Sequence, residues 1–145
     1  MFVQVRNVGR VRVLDASGLQ QTMRADKVPA YKQLLQQLHG ANRDRLDQAL
    51  RCFTSERQLA VFVLSDYDLI ATARACRSDP AIVWVHDVVV AQKWRQPRRG
   101  LGALVVGALE REIHANWCRV HSCLLRLTSH PRRKTEPFTS PKDSR

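Results

Sequence analysis

The chain has 145 residues, 44% of them apolar, and a formal net charge of +11. That is enough for one domain with a proper core, too short for two of ordinary size, and too apolar for a disordered chain. No apolar run is long enough to span a membrane, and Met1–Arg6 lacks the basic region, apolar stretch and cleavage site of a signal peptide, so a cytoplasmic protein is expected.

Val3, Val5, Val11 and Val13 recur at every second residue, broken by Asn7 and Gly9, which predicts a strand or a hairpin over Phe2–Leu14. Asp15-Ala16-Ser17-Gly18 reads as a turn that carries helix-starting residue types. A helix is predicted from about Ala30 to His39, with Pro29 in its first turn, Leu34, Leu35 and Leu38 on one face and Gly40 as its stop. Asn42 is placed to cap the next helix, in which Leu46, Leu50 and Phe53 recur at helical spacing.

The period then changes. Leu59–Leu64 reads as a buried strand, Ser65–Asp68 as a turn and Leu69–Ala75 as a second strand, so the two predict an antiparallel hairpin. Ser78-Asp79-Pro80 makes another turn before a strand at 82–91. Leu101, Val105, Leu109, Ile113 and Trp117 then recur every fourth residue, the stripe of a long helix, and Val120–Thr128 reads as one more strand. A crossover helix between those two strands makes them parallel neighbours. The fold class expected is α/β (α+β), with a mixed, mostly antiparallel sheet flanked by helices. One domain is expected over 1–129. Pro131, Pro137 and Pro141 among Ser, Thr, Lys and Arg predict a loose basic tail over 130–145.

Cys52, Cys76, Cys118 and Cys123 do not form the two paired Cys-x2-4-Cys units of a zinc site. They read as small buried apolar side chains.

The segment with most chemistry is Ile82–Ala103. An apolar strand empties into a basic turn holding Lys93, Arg95, Arg98 and Arg99, then Gly100-Leu101-Gly102-Ala103 opens a helix. The first turn of a helix has backbone N–H groups without internal partners, and its dipole favours negative charge. Glycine lets a ligand approach the backbone closely. A phosphorylated cofactor is the expected guest, and the strand would form one wall of its site.

These pieces together resemble the GNAT superfamily of acetyl-CoA-dependent N-acetyltransferases. Val85-His86-Asp87-Val88-Val89-Val90 is similar to the family's fourth strand. Arg95–Gly102 is similar to its (Arg/Gln)-x-x-Gly-x-(Gly/Ala) loop, and Leu125–Ser129 followed by Arg132-Arg133 to its fifth strand and exit. The resemblance implies acetyl-CoA as cofactor, with pantetheine on the backbone near Val88, Val89 and Val90. It implies pyrophosphate on the loop around Arg95, Arg98, Arg99, Gly100, Leu101, Gly102 and Ala103. It implies direct attack of an amine on the thioester, which needs a base. His86 and Asp87 stand where the family has its acidic pair, with Asp87 acting through water as the first choice. The alternative is that Asp87 only satisfies nearby backbone groups and His86 packs against a helix. Adjacent strand residues point to opposite faces, so the two share a face only if the strand carries a bulge.

The chain also departs from the pattern. Gln96-Pro97 lengthen the loop, or Pro97, which has no N–H, takes the Arg/Gln position. Counting from Arg132, Thr139 falls where the family has its acidic Tyr, and too few residues follow Phe138 for two closing strands. The last strand is then open to cover by the tail or by a second copy of the chain, a homodimer. The acceptor amine is left open between a sugar phosphate of the glucosamine-6-phosphate type, another small molecule and a protein amine. A catalytically weak module that binds nucleic acid or an acidic protein is the competing reading, ranked second because no helix-turn-helix, zinc finger or RNA-binding aromatic signature is present.

Overall fold

The computed structural model describes residues 1–6, 8–22, 27–66, 68–79, 82–95, 100–117 and 124–127. Strands β1 (Phe2–Val5) and β2 (Gly9–Asp15) form the expected hairpin. Three helices follow: α1 (Ala16–Thr22), α2 (Lys27–His39) and α3 (Arg43–Leu50). Then come β3 (Gln58–Ser65), β4 (Asp68–Asp79), β5 (Ile82–Val90), the long helix α4 (Leu101–Asn116) and β6 (Leu124–Leu127). The sheet has the order β1-β2-β3-β4-β5-β6, antiparallel throughout except for the parallel β5–β6 pair. The mixed, mostly antiparallel sheet is therefore as expected, and α4 is its crossover.

Local expectations shift at the ends of elements. Asp15–Gly18 is not a separate turn: the Asp15 carboxylate accepts the Gly18 N–H at 2.7 Å and so caps the first turn of α1. Helix α2 begins at Lys27 rather than Ala30. Pro29 is tolerated there because the first N–H groups of a helix have no internal partner. Strand β4 continues through Ser78 and Asp79, where a turn was expected, because Asp79 still pairs with Ile82. Gly40 ends α2 at φ +59, and Asn42 caps α3 by accepting the Arg45 N–H at 3.1 Å. Residues 120–123 of the last predicted strand, and the tail, lie outside the described residues.

The sheet has a core on each face. Under α4, Leu101, Val105, Leu109 and Ile113 pack on Val11, Val63 and the small residues Ala71, Ala73 and Ala75 of β4. Under α1–α3, Leu19, Tyr31, Leu35, Leu46 and Cys52 pack on Phe62 and Leu64. Tyr31, Phe53 and Phe62 form an aromatic cluster, with Tyr31 edge-on to both rings and Phe53 stacked on Phe62 at 5.7 Å. Among the described residues no helix is long and apolar enough to cross a membrane.

Helix α4 is held by its stripe, and Leu109 is fully buried in it. Leu109→Ala is expected to lower the unfolding free energy by about 2–5 kcal/mol, and the exposed Glu110→Ala by no more than about 0.5 kcal/mol. Urea titration of both variants checks this.

Candidate functional site

The site grows from an irregularity in β5. Between the pairs Thr72↔Val89 and Arg74↔His86, β4 advances two residues and β5 three. One residue is therefore extra on β5, a β-bulge. Asp87 sits in it at φ 55, a left-handed conformation that an aspartate adopts at a cost of about 1–3 kcal/mol unless its surroundings hold it. The bulge resets the alternation of faces. Val83 and Val85 belong to the core under α4, and so do Val88 and Val90, whereas Val89 belongs to the core under α2 and α3. The condition under which His86 and Asp87 can share a face is thus met.

Asp87 is buried, and its carboxylate is saturated. Oδ2 accepts from Arg74 Nε at 2.8 Å and lies 2.8 Å from a second guanidinium nitrogen, Nη2. Oδ1 lies 2.6 Å from His39 Nε2 at the end of α2. The third arm of Arg74, Nη1, reaches Gln58 Oε1 at 3.1 Å and Cys76 Sγ at 3.0 Å. One buried ion pair therefore ties β3, β4, β5 and α2 together. Burial is the largest single influence on the Arg74 guanidinium and pulls it toward neutrality, but the Asp87 carboxylate, together with Cys76 and Tyr31, outweighs it, and the net shift is upward.

On its other edge β5 pairs with β6. Pairing with β6 runs from Ile82↔Leu124 to Val85↔Leu127, where the described part of β6 ends. Asp87 and Val88 thus have no register partner in β4 and none in the described part of β6. Val88 and Val90 are half-buried beyond that point.

The strand leads to the start of α4. Gly100 is the N-cap at φ 71, a conformation that disfavours side chains, and among the described residues no side chain caps this end. A Cβ added at Gly100 or Gly102 would meet nothing within 4 Å among the described residues, so none of these crowds the first turn. Leu101 is buried and Ala103 exposed. Arg95 turns back: its Nε donates to the Val90 carbonyl at 2.7 Å and its Nη2 to Gln37 Oε1 at 2.9 Å. Gln96, Pro97, Arg98 and Arg99 lie outside the described residues, as do Phe138 and Thr139. A helix start of this kind suits a pyrophosphate. A cleft of about 440 Å³ lies between α2 and the end of β5, with Gln33, Gln37, Asp68, Lys93 and Trp94 among its walls.

Sequence reasoning missed Arg74, His39 and Gln58. Arg74 did leave a signal. It interrupts the run Ala71-Thr72-Ala73-Arg74-Ala75, and a charge among buried strand residues demands a counter-ion. His39 left none beyond its place before Gly40.

Two buried groups near the ion pair are chemically quiet. Burial pushes the Cys52 thiol up to about 12, and it pushes the Tyr31 hydroxyl well above its ordinary range. Cys52 should therefore resist iodoacetamide in the native protein at pH 8, where only about one molecule in ten thousand carries the thiolate, and react readily in urea. Equal labelling rates in the two states, read by peptide mass spectrometry, would contradict this burial.

No protein-family model matches the chain. No curated protein matches it either. Solved structures do. An aminoglycoside N-acetyltransferase in complex with CoA is 17% identical with a TM-score of 0.62, over 83% of this chain and 78% of the other. A probable acetyltransferase from meticillin-resistant Staphylococcus aureus is 15% identical with a TM-score of 0.57, over 91% and 84%. The glucosamine-6-phosphate N-acetyltransferase of Arabidopsis thaliana is 20% identical with a TM-score of 0.54, over 82% and 80%. At these identities the likeness is one of fold, and it spans most of each chain. The chain has the fold of the GNAT acetyltransferases.

Proposed function

We propose that the protein is an acetyl-CoA-dependent N-acetyltransferase. The observation that carries this reading is the irregularity in β5: a bulge at Asp87, on a strand that leads to a helix start with no side-chain cap among the described residues. Bound there, acetyl-CoA would supply the acetyl group as an activated thioester. The amides of Leu101, Gly102 and Ala103 would hold the pyrophosphate, with Arg95, Arg98 and Arg99 as neighbouring positive charge. The backbone of Val88, Val89 and Val90 would line pantetheine. The carbonyl of Val90 already accepts from Arg95, so any bond of pantetheine to that atom has to share it or displace the guanidinium.

The chain's own groups divide the remaining work. The unregistered backbone at Asp87–Val88 offers N–H donors to the acetyl oxygen, where charge builds up during attack. Both oxygens of Asp87 are engaged by Arg74 and His39, so Asp87 serves the site best as an anchor. His86, half-buried beside it, is the better base: imidazole titrates where an ammonium must lose its proton. Tyr31 is buried within the aromatic cluster, so it is not the acid for the leaving thiolate.

A small polar amine is the acceptor the cleft favours, since amide, carboxylate, ammonium and indole side chains line one space. Aminoglycosides and glucosamine-6-phosphate are the compounds to try first, as names carried by the similar structures. The competing reading, a polyanion-binding module, draws on the net charge of +11 and on Arg10 and Arg12 over the exposed Phe2 ring. It predicts nucleic-acid affinity that falls steeply with salt and no thioester turnover.

Calorimetric titration with CoA is expected to give a dissociation constant in the micromolar range; no heat at millimolar CoA would contradict the proposal. Gly102→Asp should weaken CoA at least tenfold while leaving the melting temperature the same or higher. An aspartate in the first turn favours the helix dipole but repels phosphate. His86→Gln should lower kcat by about 10²-fold or more, read with an aminoglycoside or glucosamine-6-phosphate as the amine.

A further inference from the structure

A strand bulge does not hold itself in place. Asp87 occupies a left-handed conformation, and neither neighbouring strand pairs with it or with Val88 among the described residues. Left to local forces, β5 would regain extended geometry and shift its register by one residue, which moves every following side chain to the other face. Val88, Val89 and Val90 would then change places between the two cores. Something outside the ladder must fix the bulge, and the Asp87 side chain reaches out of it to partners on β4 and α2.

That side chain is gripped from two directions. Arg74 holds Oδ2 from β4, the strand whose register the bulge offsets. His39 holds Oδ1 from the last residue of α2, which crosses the sheet face above. Both partners are as buried as the carboxylate, with 7%, 3% and 4% of the Arg74, His39 and Asp87 side chains exposed. Arg74 is oriented in turn by Gln58 and Cys76, so the guanidinium plane is fixed by contacts on β3 and β4. A doubly held carboxylate in a dry site has one orientation, and through its backbone it sets the peptide planes on either side.

We propose that His39 and Arg74 are positioning residues: they clamp Asp87 in its left-handed conformation and so hold the β5 bulge that aims the Asp87–Val88 backbone at the acetyl group. The clamp itself stands on the unligated geometry, and its catalytic consequence rests on the acetyltransferase reading. Neither residue touches the reacting atoms. Their effect passes through the strand, so it falls on the rate of transfer and spares the hold on the rest of the cofactor, which sits on α4.

The test compares the protein with His39→Gln, which keeps a donor for Oδ1, and His39→Leu, which keeps bulk and loses the donor. Arg74→Lys, which keeps the charge and loses the fork, gives the same comparison if the Leu variant does not fold. Amide hydrogen exchange of Ala91, whose N–H donates to the Ile70 carbonyl at 2.7 Å just past the bulge, is read first, without cofactor. It should match the parent in His39→Gln and speed up at least tenfold in His39→Leu, while the α4 amides stay within about threefold. Acetyl transfer to sisomicin is read next. His39→Leu should lower kcat at least tenfold with KM for acetyl-CoA within about threefold, and His39→Gln should regain most of the rate. Unchanged exchange at Ala91 in both His39→Leu and Arg74→Lys would overturn the clamp. Equal losses in kcat and in cofactor affinity would reduce it to a general support of the fold and overturn the positioning role. A parent protein that binds no CoA would contradict the acetyltransferase reading instead, and the exchange data would still decide the clamp.

Discussion

The Asp87 carboxylate, fixed between Arg74 and His39, is the contact on which the organisation of this molecule turns. A charge this deep is costly unless it is paired and hydrogen-bonded, and removing one partner of such a pair costs about 3–5 kcal/mol. Here the pair is fully bonded, and its arms reach three strands and a helix. An apolar cluster of the same volume would bury as much surface, but it would not select one backbone conformation at Asp87. The specificity gained is local: a bulge at one residue of one strand, with a side chain in φ > 0.

That placement links stability to function. The bulge leaves Asp87 and Val88 without a register partner in β4. Three residues later the strand ends, and after the basic turn α4 begins with Gly100 as its N-cap. One strand thus joins the bulge at Asp87 to the helix start that the proposed reading assigns to pyrophosphate. The two cores hold the geometry from both faces, α4 on one side and α2 with its aromatic cluster on the other.

Much of the fold was legible in the sequence because its signals are periodic. The fourfold stripe from Leu101 to Trp117 gave α4, alternating valines gave the β1–β2 hairpin, and the crossover rule gave the parallel β5–β6 pair. Element ends were less legible, since a single side chain decides them: Asp15 turned an expected turn into the first turn of α1. The candidate site was legible as a strand, a glycine pair and a helix start. The clamp was not, because it joins His39, Arg74 and Asp87 from three distant parts of the chain, and no local spacing records such a meeting. Asp87 was found by position in a family pattern. Its engagement by two partners, which favours an anchoring role, could be seen only in three dimensions.

The most direct measurement is a crystal structure of the acetyl-CoA complex. The account predicts the acetyl oxygen at hydrogen-bond distance, about 3 Å, from a backbone N–H at Asp87 or Val88, with pyrophosphate on the amides of Leu101–Ala103 and Asp87 still at positive φ between Arg74 and His39. A cofactor seated elsewhere, or one that binds here with the bulge flattened and Asp87 released, would contradict it.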